Sequence, residues 1–247
     1  MKRYGLIGYP LGHSFSQKYF TEKFDRECVD ARYDLFPLES INELPGLIHD
    51  TEGLAGFNVT IPYKQDVIQF LDEMDDQARE IGAVNVVKIM RQVNGAYRLK
   101  GFNSDAYGFA ESIRPMLGPS HKRALVLGSG GASKAVIFSL RRLGVEPVVV
   151  SRRPSAGMLT YAAIDKEILM NYTVIVNASP VGMSPIIDAC PDIPYEFLTP
   201  RHVCFDLVYN PEETLFLQKA SAAGAAVKNG LEMLHLQAEG AWKYWNE

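Results

Sequence analysis

Three cysteines in 247 residues, at positions 28, 190 and 204, are too few and too far apart for a disulfide framework or a Cys-based metal site. Free thiols in a reducing compartment are the expected state. The five histidines form no HxH or HxxxH pair, so no metal is expected. Neither sign of charge dominates: 25 Lys and Arg against 29 Asp and Glu leave a net charge of -4. Nonspecific nucleic-acid binding is therefore not expected. No apolar run approaches the ~20 residues that span a bilayer. The opening MKRYGLIGYPLGHS is broken too early by Gly5, Gly8, Pro10 and Gly12 to read as a signal peptide, so a cytoplasmic location is expected. There is no internal repeat and no low-complexity tract.

What is present is an ordinary globular composition, 47% hydrophobic and 22% charged, with material for one large domain or two small ones. The most informative stretch is Arg123 to Arg153. An apolar run (Ala124 to Leu127) meets a glycine-rich turn of Gly128, Ser129, Gly130 and Gly131, then Ala132 and a helical pattern, then a second apolar run, Val148 to Val150. Strand, tight turn, helix and strand in that order form the βαβ unit that binds dinucleotides. Glycine lets the backbone approach the pyrophosphate, and the helix start supplies free N–H groups. Ser133 stands where the motif usually has its third glycine. The second strand ends in Ser151, Arg152 and Arg153, with no carboxylate to take a ribose 2′-OH; two guanidiniums suit a 2′-phosphate, so NADP is favoured over NAD.

The first hundred residues read as α/β without such a turn. Strands are expected at Tyr4 to Gly8, 32–36 and Leu54 to Val59, and helices at Ser16 to about Glu27 and at 41–50. A further helix is expected from an N-cap at Thr60, with Pro62 in its first turn and Val67, Phe70, Leu71 and Met74 as its apolar stripe. Val84 to Met90 and Ala96 to Leu99 form a hairpin through Asn94-Gly95. Strands recur at Val174 to Val176, Val203 to Asp206 and Ala225 to Val227, with helices at roughly 212–223 and at Leu231 to Trp245.

Ser14, Ser16, Asn58, Thr60, Lys64, Asn85 and Asp105 fall at strand ends, where they could line a pocket for a small polyhydroxy acid. Each also has a purely structural reading. Ser14 and Ser16 could cap the first helix, Thr60 and Asp105 could cap theirs, Asn58 and Asn85 could satisfy turn backbone, and Lys64 could be solvated.

Eight segments decide between these readings: Gly8 to Ser16 (GYPLGHSFS), Gly56 to Lys64 (GFNVTIPYK), Gly82 to Asn85 (GAVN), Gly101 to Asp105 (GFNSD), Gly128 to Ser133 (GSGGAS), Asn177 to Met183 (NASPVGM), Asp206 to Pro211 (DLVYNP) and Asn229 to Gln237 (NGLEMLHLQ). In content and order, over nearly the whole chain, the sequence resembles the NADP-dependent shikimate dehydrogenase family. The resemblance implies a two-lobed α/β fold: a substrate-binding and catalytic domain of residues 1–105 plus about 231–247, and a Rossmann-type NADP domain of about 106–230, the C-terminal helix returning to the substrate domain. It implies Lys64 and Asp105 as the catalytic pair, with Ser14, Ser16, Thr60, Asn85, Asp105, Tyr209 and Gln237 around the substrate. It implies NADP(H) on Gly128 to Ala132 and Ser151 to Arg153, with Asn177, Ser179 and Met233 nearby.

The activity implied is reduction of 3-dehydroshikimate to shikimate, on the route through chorismate to the aromatic amino acids, by a monomer or homodimer. Quinate/shikimate dehydrogenases with relaxed cofactor use, and a non-catalytic sensor of NADP or a small acid, are the alternatives. Three departures from the family pattern stand out: Gln17 for Pro, Ser104 for Thr, and Ser151-Arg152-Arg153 for Asn-Arg-Thr. The chain is also short, with a deletion expected around 153–170.

Overall fold

A computed structural model describes residues 1–12, 14–92, 95–153 and 155–247. His13 of the first motif and Asn94 of the expected hairpin turn lie outside the described residues. The chain divides into two compact units, Met1–Ser104 with Ala238–Glu247, and Asp105–Gln237.

The first unit runs β1 (Lys2–Gly8), α1 (Phe15–Arg26), β2 (Ala31–Pro37), α2 (Leu44–Asp50), β3 (Leu54–Val59), β4 (Glu73–Met74), α3 (Asp76–Ile81), β5 (Val86–Arg91) and β6 (Tyr97–Phe102). Its six-stranded sheet has the order β2-β1-β3-β5-β6-β4. β1 runs parallel to β2 and β3, and β5 antiparallel to β3 and β6. One consequence matters for function. The carboxyl ends of β1, β3 and β6 and the amino end of β5 all lie at the same edge, since Asn58 pairs with Val86 and Val86 with Phe102.

The second unit runs α4 (Asp105–Ile113), β7 (Arg123–Leu127), α5 (Gly131–Arg142), β8 (Glu146–Val150), α6 (Lys166–Asn171), β9 (Val174–Asn177), β10 (Val203–Asp206), α7 (Leu215–Ala222), β11 (Ala226–Lys228) and the start of α8 (Leu231–Asn246). Its sheet, β11-β10-β9-β7-β8, is wholly parallel. β9 and β10 are buried along their whole length, as expected of a parallel sheet covered on both faces. The connections run from β7 outward to β8 and then back past β7 to β9. That reversal is the switch point at which nucleotides bind in Rossmann-type sheets.

The helix expected from Thr60 is not there. Residues after Pro62 form turns and then a 3₁₀ segment, Asp66–Phe70, leading into β4. The residue before a proline is pushed out of the α region, which leaves Thr60 no helix to cap. Its carbonyl instead accepts the Tyr63 N–H at 2.9 Å. The segment then earns its place by sheet pairing: Asp72 accepts Leu99 N–H at 2.7 Å through its carboxylate, and β4 pairs β6. Val67 still enters the core, with Phe70, Leu71 and Met74 packed against it. The short α3, not anticipated from the sequence, has a legible signal at both ends. The Asp75 carboxylate accepts Gln77 N–H at 3.0 Å, and Gly82 closes the helix at φ 67°. Between Ser151 and Val174 the only α-helix among the described residues is the six-residue α6.

Candidate active site

In the first unit the predicted residues collect at the shared sheet edge. Ser14 occupies the N-cap position of α1, yet its hydroxyl makes no capping bond. Ser16, one half-turn into α1, is buried, and so is the phenol of Tyr33 on β2. That phenol donates to Asn58 Oδ1 at 2.8 Å, and Asn58 Nδ2 donates to the Asn85 carbonyl at 3.2 Å. Asn85 in turn holds Ser104: its Oδ1 accepts the Ser104 N–H at 2.7 Å and its Nδ2 donates to Ser104 Oγ at 3.0 Å. A continuous buried chain therefore joins β2, β3 and the loops flanking β5 and β6.

Thr60, half-buried, follows the end of β3 and donates its N–H to the Ile7 carbonyl at 2.9 Å. Lys64 is half-buried in the turns beyond, and its carbonyl accepts Val84 N–H at 2.7 Å. That bond ties the lysine's backbone to the segment carrying Asn85. Hydroxyls, amides and one ammonium, all at one edge, suit a ring acid bearing several hydroxyls.

In the second unit, Gly128, Ser151 and Ala178 follow the carboxyl ends of β7, β8 and β9. Gly128 N–H donates to the Val150 carbonyl and Ala178 N–H to the Leu127 carbonyl, both at 2.9 Å. Gly128 adopts φ 119°, and a Cβ there would lie 3.1 Å from the Ala178 backbone. Only glycine fits so tight a turn. Gly130 is the exposed N-cap of the 12-residue α5, with no side-chain cap, and a Cβ added to it meets nothing within 4 Å. Ser129 is exposed; Gly131 and Ala132 are partly so. Ser133 is buried and donates to the Gly130 carbonyl at 2.6 Å, which shows how serine serves in the third glycine position.

Arg152 and Arg153 are exposed just past β8, and Ser151 Oγ accepts Arg153 N–H at 3.3 Å. Open helix N–H groups, a glycine cradle and two guanidiniums at the neighbouring strand end fit the pyrophosphate and 2′-phosphate of NADP.

Asn177, at the end of β9, is held from both sides. Its Oδ1 accepts Ser179 N–H and Oγ–H, at 3.1 and 2.6 Å, and its Nδ2 donates to Asp206 at 2.9 Å. Asp206 also accepts from Thr214 Oγ1 at 2.6 Å and Val208 N–H at 3.0 Å. Burial nonetheless pushes its carboxyl up to about 6. The start of α8 carries Met233 and Gln237, both buried, and lies hard against α4. A Cβ on Gly108 would come within 2.6 Å of the Met233 carbonyl and 3.0 Å of Gln237 N, so glycine is what lets the two helices meet. Asp105, buried, is the first residue of α4, and Tyr209 is half-buried in the loop after β10.

Nothing in the sequence assigns a functional role to Tyr33, Ser104, Gly108 or Asp206. Tyr33 looks like any strand tyrosine, and Gly108 like an interruption of a helix. Asp206 carried a signal, lying inside a recognised motif.

Residues 6–87 match the family model described as the shikimate dehydrogenase substrate binding domain. The shikimate dehydrogenase (NADP(+)) of Geobacillus kaustophilus is 36% identical over 262 residues, covering 99% of this chain and 92% of that protein. The corresponding Desulforamulus reducens protein is 34% identical over 265 residues, covering 98% and 88%. Among solved structures, shikimate 5-dehydrogenase of Thermus thermophilus in complex with NADP(H) and shikimate superposes with a TM-score of 0.85 at 34% identity, covering 99% of this chain and 93% of that one. Similarity at this level, running through both units from end to end, means that the chain belongs to the shikimate dehydrogenase family.

Proposed function

We propose that this protein catalyses the reversible NADPH-dependent reduction of 3-dehydroshikimate to shikimate. The observation that carries the reading is the gathering of Ser14, Ser16, Thr60, Lys64 and Asn85 at one sheet edge in a chain whose relatives carry that activity. When bound, NADPH supplies the hydride that reduces the ketone carbon. Negative charge develops on the ketone oxygen, and the Lys64 ammonium stabilises it and gives up the proton that completes the alcohol. Asp105 is the other member of the catalytic pair, and its carboxylate accepts a ring hydroxyl. Ser14 and Ser16 receive the ring carboxylate, and Thr60, Asn85, Tyr209 and Gln237 bind the remaining polar groups.

Gly128 to Ala132 hold the pyrophosphate, Ser151 to Arg153 the 2′-phosphate, and Asn177, Ser179 and Met233 the rest of the dinucleotide. NADPH oxidation with 3-dehydroshikimate, repeated with NADH and with 3-dehydroquinate, tests the reading. Fast turnover confined to NADPH and 3-dehydroshikimate is expected; NADPH binding without turnover of either acid would refute it. Lys64→Ala should lower kcat by about 10²–10⁴ with little change in KM, because it removes a contact made in the transition state. A raised KM at full kcat would make Lys64 a binding residue only.

A further inference from the structure

Tyr33 is the one member of the buried chain at the sheet edge that belongs to none of the eight recognised motifs. Its ring stacks on Phe20 at 4.9 Å and 10°, and Ser16 lies one helical turn before Phe20 on the same face of α1. The ring is thereby held against α1 while its phenol reaches Asn58. The proton order in the chain is fixed by its ends. Asn58 Nδ2 must face the Asn85 carbonyl, which only accepts, so Oδ1 faces Tyr33 and receives its single proton.

We propose that Tyr33, through its hydrogen bond to Asn58 and its stacking on the helix that carries Ser16, is a positioning residue that sets the affinity of the site for the ring acid. It fixes where Asn58 stands and so where the Asn85 loop begins, and Asn85 in turn fixes Ser104, the residue before Asp105. Burial raises the phenol's pKa, so Tyr33 stays neutral and transfers no proton in the reaction. Its effect therefore belongs in KM and not in kcat. This inference rests on the shikimate reading above.

The test is a double-mutant cycle of Tyr33→Phe and Asn58→Ala, with KM for 3-dehydroshikimate, KM for NADPH and kcat measured for each. Tyr33→Phe keeps the ring on Phe20 and removes only the hydroxyl, and its melting temperature checks the fold. KM for the acid should rise about 5–30-fold, as for loss of one buried hydrogen bond, with kcat and KM for NADPH unchanged. The two substitutions together should cost clearly less than the product of their separate effects, because both break the same contact.

An unchanged KM in Tyr33→Phe, or singles that simply multiply, overturns the inference while wild-type turnover leaves the function standing. A wild-type protein that does not reduce 3-dehydroshikimate overturns both.

Discussion

Asp206 shows how much one residue's surroundings can alter its chemistry. Its carboxylate is fully enclosed and accepts three hydrogen bonds, yet desolvation outweighs them and its pKa rises to about 6. The folded state thus holds this proton more tightly than the unfolded chain, whose Asp titrates near ~3.9. The sign follows from linkage. The stabilising contribution is complete below about pH 4 and is lost as pH rises through about 6. Two pKa units correspond to about 3 kcal/mol. Relative to Asp206→Asn, the wild type should therefore gain up to about 3 kcal/mol in denaturant-measured stability between pH 7.5 and pH 4. A difference that is flat with pH would show that Asp206 titrates normally. Because Asp206 holds Asn177, and Asn177 holds Ser179, the last residue of β10 keeps the loop after β9 in shape.

At the scale of elements, the strand–turn–helix–strand of β7, α5 and β8 assigns cofactor chemistry to separate parts. In the proposed assignment, the turn and the start of α5 offer N–H groups that any pyrophosphate satisfies, whereas Arg152 and Arg153 serve only a 2′-phosphate. Replacing both arginines with alanine should raise KM for NADPH about 10–100-fold and leave KM for NADH within about 2-fold. Equal losses for the two cofactors would remove the 2′-phosphate assignment. This unit was legible in the sequence because its signals are local: glycine spacing, a short apolar run on each side, and a helix start. The β5–β6 hairpin was legible for the same reason, with Gly95 at φ 84° closing the turn. The stretch after Thr60 was not. Its apolar spacing mimicked a helix, and only pairing with β6 made a strand of Glu73–Met74.

At the scale of the whole molecule, the first unit is completed by residues from the other end of the chain. Trp245 stacks on Tyr4 at 4.6 Å, and its indole N–H donates to the Val87 carbonyl at 3.1 Å. Gly56 has no side chain because a Cβ there would lie 2.6 Å from the same indole. Nearby, Lys23 is almost fully enclosed and pairs with Glu27 at 2.9 Å and Glu239 at 3.1 Å. Trp245→Ala should destabilise this unit by about 3–5 kcal/mol, since it empties a core site and removes the bond to the Val87 carbonyl. Denaturant unfolding followed by circular dichroism measures this. A loss below about 1 kcal/mol would mean that the C-terminal helix merely decorates the unit.

The sequence by itself determined the class of fold, the nucleotide-binding turn, its basic strand end and the polar residues suited to a hydroxylated acid. Each of these is written in neighbours a few residues apart, where backbone propensity and side-chain chemistry act directly. Tertiary structure alone decided that Tyr33, Asn58, Asn85 and Ser104 form one hydrogen-bonded chain, that residues 60–74 form no α-helix, and that Asp206 is a raised acid. Those outcomes depend on strand order and burial, which bring together groups far apart in sequence, Tyr4 and Trp245 among them. Burial and strand pairing of this kind leave no local trace, so no window of sequence contains them.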